Sequence, residues 1–206
     1  MKLLVYIVLC GTLYVNAQKR IEKSIALNQD VSSVVFDLEE VFSINLKSTK
    51  TPLITLNAIS EGEYANHFLI TDTTQDETLI VSGKIGFTFP NKQDKLSAHK
   101  VHAITIEITV PEWLQVTLNS AIGNLNIEGY YNELTANSKS GNCELLDVSG
   151  QLAVQTINGD IHIKTKKGHV IAESKKRGIT QKWLGKGTSV FKLKTVKGQI
   201  NIEQSQ

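Results

Sequence analysis

The feature that most constrains the fold of this chain is a glycine that recurs at fixed spacing in the second half of its 206 residues. Gly123, Gly141 and Gly159 lie 18 residues apart, and Gly198 follows 39 residues later. Each glycine has apolar residues seven and five positions before it, Ser or Thr three positions before it, and apolar residues two and four positions after it. A period of two on both sides of a glycine predicts short β-strands joined by a tight corner.

Such a unit is too small to bury its own apolar side chains, so successive units must pack on one another. We therefore predict an all-β fold: a β-solenoid, or β-helix-like stack of about 18-residue units, with neighbouring strands roughly 4.8 Å apart. Leu125, Cys143, Ile161 and Ile200 would form one inward-facing column. The spacing is also compatible with successive hairpins in a meander or a sandwich. We favour the solenoid because equivalent positions carry the same type of residue, either apolar or Ser/Thr, in each repeated unit.

The first half of the chain lacks this period, but it also favours β-structure. The stack is therefore expected to be preceded by irregular N-terminal strands, with residues 18–100 forming an N-terminal β-strand region that is continuous with the solenoid at 101–206. Turn-forming residues cluster at 71–76, and residues 90–100 are expected to form a loop. The candidate strands are 20–27, 33–38, 42–47, 53–58, 67–71, 77–82 and 101–110.

One repeat is irregular, between Gly168 and Thr188. A strand is expected to begin near Val170, but the next glycine, Gly178, comes about one position late. Residues 182–187 are expected to be an inserted loop, and the pattern resumes at Val190. Loops that interrupt such units often project from one face, where binding can occur.

Residues 1–17 have the features of a secretory signal peptide. Lys2 is followed by an apolar run, and Val15-Asn16-Ala17 precedes Gln18. We expect an exported protein in the periplasm, on the outer surface or outside the cell. The alternative is a lipoprotein signal with Cys10 as the lipidated residue, but Leu9 stands where a small residue is required. No later segment is apolar enough for a membrane span.

The residue types that support catalysis do not assemble into a known motif. Removal of the signal peptide leaves Cys143 as the only thiol, and its apolar repeat position predicts a buried structural thiol rather than a nucleophile. His99 and His102 are three residues apart, which places them on opposite faces of a strand. They could share a metal across a loop, but surface or edge histidines are the simpler interpretation. His162 is expected to point outward, while His67 and His169 have no partner at ligand spacing. We therefore expect no metal site, no cofactor and no catalytic residues.

Two carboxylates leave an enzymatic alternative open. Asp147 and Asp160 could be neighbours on adjacent units, as in polysaccharide-processing enzymes built on a β-helix, although solvated outward carboxylates are the simpler interpretation. Such an enzyme also needs aromatic platforms for sugars, and the repeat half offers Trp113, Trp183 and a few tyrosines.

Charge is unevenly distributed along the chain. Residues 164–197 contain 11 Lys or Arg and one acid, whereas residues 18–163 contain 10 basic and 18 acidic residues. We interpret the basic region as a candidate surface for anionic ligands such as lipid headgroups or acidic glycans. The alternative is that outward lysines only discourage aggregation at the end of the stack. The candidate residues are Lys164, Lys166, Lys167, Lys175, Lys176, Arg177, Lys192 and Lys194.

The run Val110-Pro111-Glu112-Trp113-Leu114-Gln115-Val116, followed by the glycine units and by Val196-Lys197-Gly198-Gln199-Ile200-Asn201-Ile202, resembles the bacterial "putative adhesin" families of unknown function. Members of these families often contain Gly-Asp-Ile units, and Gly159-Asp160-Ile161 matches that sequence. The signal ending Asn16-Ala17-Gln18 is similar to those of secreted Bacteroidetes proteins. The resemblance covers about residues 101–203. It implies export and a β-helical fold, and it transfers no catalytic residues.

We therefore expect a non-enzymatic, exported, adhesin-like protein of the cell surface or periplasm. Expected partners are cell-surface glycans or anionic envelope components, together with self-association, while the balanced total charge argues against nucleic acid. The alternatives are a carbohydrate-active enzyme on a β-helix scaffold and a purely structural envelope protein. Besides the basic region, the expected contact residues are Asn124, Asn126, Asp160, His162, Lys164, Gln199 and Asn201.

Overall fold

The computed structural model describes residues 18–62, 65–86, 102–181 and 184–205. The proposed signal peptide, the 90–100 loop, His99 and Trp183 lie outside the described residues. The described part contains a short 3-10 turn at Ala65–His67, no α-helix and 15 strands. The strands are β1 (Gln18–Ala26), β2 (Ser33–Asp37), β3 (Ser43–Thr49), β4 (Leu53–Gly62), β5 (Phe68–Gln75), β6 (Thr78–Ile85), β7 (His102–Pro111), β8 (Gln115–Ser120), β9 (Asn124–Ser140), β10 (Cys143–Asn158), β11 (Ile161–Thr165), β12 (Lys167–Ser174), β13 (Ile179–Gln181), β14 (Gly185–Thr195) and β15 (Ile200–Gln204).

All 15 strands belong to one mixed sheet. The first arm of this sheet has the order β1-β4-β7-β3-β9-β10-β11-β15-β13, and the second arm has the order β5-β6-β2-β8-β9-β10-β14-β12. The two arms share β9 and β10, the longest strands. Pairing is antiparallel between β1, β4 and β7 and between β5 and β6, and it is parallel elsewhere.

The long strands serve both arms because each one bends near its middle. In β9 the first part pairs with β3, the last part pairs with β8, and Gly129 lies between them with a φ of 108°. In β10 the ladder slips between Leu146 and Ser149, and Gly150 has a φ of 103°. Glycine suits both positions because side chains rarely tolerate a positive φ. The bends turn the apolar faces of the two arms toward a common core.

The predicted inward column is confirmed. Leu125 pairs with Cys143, Cys143 with Ile161, and Ile161 with Ile200, and all four side chains are fully buried. Strands of the N-terminal half extend the same core, since Ile44 pairs with Leu125 and is equally buried. One hydrophobic cluster thus contains residues of both halves of the chain. Each such buried aliphatic side chain contributes about 1.5 to 3 kcal/mol.

The β-solenoid that we predicted, and that the family resemblance also implied, is wrong. The described strands form a mixed half-barrel with antiparallel pairs, and the N-terminal strands are integral to it, since β2 and β3 pair directly with β8 and β9. The order of the C-terminal strands is also not sequential. β14 pairs with β10, and β12 lies outside β14 at the edge.

The non-sequential order explains the irregular repeat. The unit β14–β15 occupies the positions next to β10 and β11, so the earlier unit β12–β13 is displaced to the edge of both arms. The glycines reflect this arrangement. Gly198, of the unit β14–β15, stacks on Gly159, whereas a Cβ added at Gly178, of the displaced unit, would meet nothing within 4 Å. The loop predicted at 182–187 is only partly testable: Gly185 and Gly187 belong to β14, and residues 182–183 lie outside the described part.

The seven predicted N-terminal strands are confirmed as β1 to β7, with boundaries that differ by up to four residues. The predicted turn at 71–76 is too long, because β5 continues to Gln75 and the hairpin turns at Asp76 and Glu77. Asp76 has a φ of 52°, a conformation that Asp tolerates better than most residues. The threonines of this segment are strand residues, in agreement with their β-branched side chains.

The repeated glycines form a second column, at the corner where the chain passes from the second arm to the first. A Cβ at Gly141 would lie 2.2 Å from the carbonyl oxygen of Gly123, and a Cβ at Gly159 would lie 1.9 Å from that of Gly141. At Gly198 the distance to the Gly159 oxygen would be 1.7 Å. Only glycine allows the backbones of successive corners to approach this closely.

The Ser or Thr three positions before each glycine completes the corner. The Ser120 Oγ accepts a hydrogen bond from the Gly123 N–H at 3.0 Å, and Thr195 Oγ1 accepts one from the Gly198 N–H at the same distance. Thr195 Oγ1 also donates to the Gly159 carbonyl at 2.9 Å. These hydroxyls are buried, so they satisfy backbone groups that water cannot reach.

We predict that Gly159→Ala lowers the free energy of unfolding by at least about 3 kcal/mol, because the new methyl group must displace the neighbouring corner. The matched control is Gly178→Ala, which meets no atom within 4 Å and incurs only the cost of its positive φ of 92°, about 1 to 2 kcal/mol. Urea unfolding followed by circular dichroism measures both. Equal losses would contradict the steric explanation.

Candidate functional site

A chain of side-chain hydrogen bonds runs along the glycine corner, one residue after each glycine. The Asn124 Oδ1 accepts from the Asn142 N–H at 2.9 Å, and the Asn142 Oδ1 accepts from the Asp160 N–H at 3.0 Å. The Asp160 Oδ1 then accepts from the Gln199 N–H at 2.8 Å. Asn124, Asp160 and Gln199, which we expected to be contact residues, therefore also have a structural role.

The outward face of the second arm carries a row of amides. Asn119, Asn137 and Gln155 are neighbours in the ladder. The Asn137 Nδ2 donates to the Asn119 Oδ1 at 3.0 Å, and the Gln155 Nε2 donates to the Asn137 Oδ1 at 2.7 Å. On the first arm the Asn126 Nδ2 donates to the Asn45 Oδ1 at 2.8 Å. These bonds hold polar side chains at defined positions on both outer faces.

The eight cations of the candidate basic surface are all exposed, but they lie in three separate groups. The first group, Lys164, Lys166 and Lys167, lies at the end of β11 and the start of β12. The second group, at 175–177, follows the other end of β12, roughly 25 Å away for a strand of this length. The third group, Lys192 and Lys194, lies on the outward face of β14 in the second arm. The structure therefore brings together three of the eight.

The first group lines a groove of about 620 Å³. We call this the lysine groove: Lys164, Lys166, Lys167, Asp147, Val148, Ser149, Thr165, Ser189 and Ser205. The Thr165 Oγ1 donates to the Val148 carbonyl at 2.7 Å, which ties the two strands that form its floor. Asp147, with a φ of 49°, is the acidic residue of the lining. The groove thus combines three cations, one anion and several hydroxyl groups.

The third group has a different environment. Lys194 makes an ion pair with Glu173 at 3.0 Å and lies beside Gln155, so it continues the amide row. Lys192 lies between Ala153 and Ile171. Among the described residues, Lys194 is the only one of the eight cations with a carboxylate oxygen within 4 Å.

Cys143 is the free thiol of the described chain, and it is fully buried in the inward column. Burial raises the pKa of this thiol to about 12, because the thiolate would lose its hydration. The predicted structural role of the thiol agrees with this environment.

The remaining candidates for chemistry stay apart. Within the described ranges, no three His, Cys, Asp or Glu side chains are grouped for a metal ion. The His162 Nε2 lies 3.8 Å from Glu203 on the outer face of the first arm. Asp147 follows the first segment of β10 and Asp160 precedes β11, so the register places them about five residues apart along the strands, on the order of 17 Å. The expectation that they could be neighbours is wrong, and this separation exceeds that of a glycoside-cleaving pair.

Sequence reasoning named Trp113 as a possible sugar platform but missed the group of residues around it. Trp113, Tyr130 and Asn132 meet Lys50, Thr51, Pro52 and Glu112 around a groove of about 710 Å³, which we call the aromatic groove. It lies at the corner where the chain passes from the first arm to the second, the same corner as the lysine groove. Trp113 and Tyr130 are 17 residues apart, close to one repeat, and this spacing was the available signal. Residues 50–52 belong to the non-repeating half of the chain, and no sequence signal indicated that they would join this groove.

No protein-family model and no curated protein matches the sequence. The solved structure of "a putative cell adhesion protein" from Clostridium sporogenes superposes with a TM-score of 0.57 and 13% identity, over 91% of this chain and 100% of that chain. Structures of "a putative adhesin" from Bacteroides fragilis and a "putative lipid binding protein" from Parabacteroides distasonis give TM-scores of 0.35 and 0.38 at 15% and 10% identity, each over 91% of this chain and 97% of the other. The clostridial protein and this chain share a fold.

The described residues include no helix with the length and hydropathy that crossing a membrane requires.

We predict that Asp160→Ala lowers the free energy of unfolding by about 1.5 kcal/mol, because the Gln199 N–H loses its acceptor. Asp160→Asn keeps an acceptor oxygen at the same place and is expected to cost less than about 0.5 kcal/mol. Thermal and urea unfolding of the two variants measure the difference. If Asp160→Asn lowers the free energy of unfolding as much as Asp160→Ala does, then Asp160 contributes through its charge and not as a hydrogen-bond acceptor.

We predict that Cys143 in the folded chain from Gln18 onward reacts with an aromatic disulfide reagent at pH 8 about a thousandfold more slowly than in the urea-unfolded chain. The reason is the smaller thiolate fraction, given a pKa raised from 9.0 to about 12. The absorbance of the released thiolate follows the reaction. Equal rates would show that the thiol is accessible and ionised in the native protein.

Proposed function

We propose that the protein is a non-enzymatic, exported, adhesin-like interaction protein that binds anionic glycans through the lysine groove. The observation on which this rests is the convergence of Lys164, Lys166 and Lys167 on one groove with no carboxylate of the described chain within 4 Å of their ammonium groups. The shared fold with a protein described as a putative cell adhesion protein supports the adhesin-like role. The signal-like residues 1–17 support export.

The backbone favours this function because it fixes the positions from which two of the three lysine side chains project. Lys164 lies on β11, which is paired on both sides, with β10 and with β15. Lys167 begins β12, where it pairs with Gly185 of β14. A ligand that meets side chains anchored on a paired sheet has less conformational entropy to remove than one that meets a loop. The three positive charges also attract an anionic polymer before contact, so they increase its rate of association.

An acidic polysaccharide suits the lining of the lysine groove. Its carboxylates or sulfates can pair with the ammonium groups, and its hydroxyls can hydrogen-bond to Ser149 and Ser189. Asp147 in the same lining disfavours closely spaced anionic groups and favours a polymer with intervening neutral atoms. A glycan therefore matches the groove better than a densely charged surface does.

We predict that the triple variant Lys164→Gln, Lys166→Gln, Lys167→Gln binds a carboxylated or sulfated polysaccharide about tenfold more weakly than the unaltered protein, since each exposed ion pair contributes up to about 1 kcal/mol. Binding is also expected to fall strongly between about 50 and 300 mM salt. Calorimetric titration at several salt concentrations measures both effects.

The matched control is Lys192→Gln, Lys194→Gln, which removes cations from the other arm and should change the affinity less than twofold. Vesicles of anionic lipid are titrated in parallel to distinguish a headgroup from a glycan as the source of the anion. Binding that does not depend on salt, or equal losses in the triple variant and the control, would refute the lysine groove as the site.

A further inference from the structure

The aromatic groove presents two large rings to water. Trp113 is 51% exposed and Tyr130 is 45% exposed, and they line the same groove. The other large apolar side chains that are exposed in the described part, such as Phe42 and Ile157, do not line it. Single exposed apolar residues are common on protein surfaces, but two aromatic rings that share a concave site are typical of ligand binding.

Backbone hydrogen bonds join the segments that carry the two rings. The turn that carries Trp113 is closed by the Leu114 N–H, which donates to the Pro111 carbonyl at 3.2 Å. The Glu112 N–H donates to the Thr49 carbonyl at 3.1 Å, and the Asn132 N–H donates to the Glu112 carbonyl at 3.3 Å. The three segments that form the groove are thus joined to one another.

Tyr131, the residue after Tyr130, anchors this part of β9 to the core. Tyr131 is fully buried, and its hydroxyl lies 3.0 Å from the carbonyl oxygens of Leu46 and Glu128. Burial raises the pKa of this hydroxyl, so it stays protonated and can donate. With Tyr131 fixed inward, the alternation of the strand directs Tyr130 outward.

The lining combines these rings with polar groups of several kinds. Lys50 supplies a donor, Glu112 an acceptor and Asn132 both, while Thr51 adds a hydroxyl and Pro52 an apolar wall. A pyranose ring whose hydroxyls are equatorial has the complementary chemistry, because its axial C–H bonds form an apolar face and its hydroxyls form a polar rim. The negative face of an aromatic ring attracts such C–H groups. The volume of about 710 Å³ lies within the range of small-molecule sites.

We propose that the aromatic groove binds neutral β-1,4-linked gluco-configured oligosaccharides, with Trp113 and Tyr130 stacking on the sugar faces. In these oligomers all ring hydroxyls and both linkage oxygens are equatorial, so successive rings form a flat ribbon that can lie along two platforms. An α-1,4-linked chain of the same sugar is bent at every linkage and presents no such ribbon.

The aromatic groove lies next to the lysine groove along the same corner. Tyr130 pairs with Ser149 in the ladder between β9 and β10, and Ser149 lines the lysine groove. A glycan chain longer than the aromatic groove can therefore reach the ammonium groups next to it. Only this continuation rests on the proposed function, since stacking of a neutral sugar needs no lysine.

Titration calorimetry with cellotetraose and with maltotetraose tests the proposal. It is done at about 300 mM salt, so that the lysine groove contributes little. We expect cellotetraose to bind and maltotetraose to bind at least about tenfold more weakly. Trp113→Ala is expected to weaken cellotetraose binding about tenfold, whereas Trp113→Tyr, which keeps a platform, should stay within about threefold of the unaltered protein.

The matched control is Phe42→Ala, which removes an exposed ring at the opposite corner and should leave binding unchanged. Circular dichroism and thermal unfolding establish that each variant is folded, and Tyr130→Ala replaces Trp113→Ala if that variant is not. The proposal would be overturned if cellotetraose did not bind, or if Trp113→Ala bound it as tightly as the unaltered protein. It would also be overturned if Phe42→Ala weakened binding as much as Trp113→Ala.

The outcomes separate this proposal from the function proposed above. If the protein binds the neutral oligosaccharide but shows no salt-dependent binding of acidic polysaccharide, the aromatic groove is supported as a binding site and the lysine groove is refuted. The reverse result would refute the aromatic groove alone. If the rings instead serve as a docking patch for another protein, neither oligosaccharide binds, and the proposal fails.

Discussion

The architecture depends on the close approach of backbone to backbone at the glycine corner. Successive corners of the backbone pack so closely that no Cβ fits between them. This contact brings the strands on both sides of the corner into register, so each apolar side chain meets an equivalent one. Register in a sheet is sensitive, because a slip of one residue would turn the apolar set outward. The buried Ser and Thr hydroxyls and the chain of bonds from Asn124 to Gln199 fix the same alignment from either side.

This alignment is also the basis of both proposed binding sites. At the opposite corner, where the chain passes from the first arm to the second, each turn is placed by the strands that enter and leave it. Trp113 and Tyr130 come from neighbouring turns, and Ser149 with the lysine group continues the same edge. Turns that are held between paired strands keep their spacing when a ligand arrives, which reduces the entropic cost of binding.

Much of the local structure was predictable from the sequence, because it depends on alternation and on glycine. The strands, the inward column from Leu125 to Ile200 and the burial of Cys143 follow from a period of two. The order of the strands was not predictable in this way. The apolar alternation is similar in β12 and β14, yet only β14 pairs with β10, and in its unit Gly198 packs on Gly159, whereas Gly178 of the displaced unit has no such contact. The aromatic groove was missed because Lys50 and Pro52 join it through pairings of long sequence separation.

The displaced unit at the edge has a consequence for how the chain acquires its structure. In the described part of the chain, β12 and β13 form ladder pairs only with β14 and β15, which follow them in the sequence. This segment can therefore acquire its native pairing only after β14 and β15 have docked, so the order of pairing does not follow the order of the sequence. Closing such a long-range arrangement is slow, and during that interval the unpaired strands are open to association with other chains.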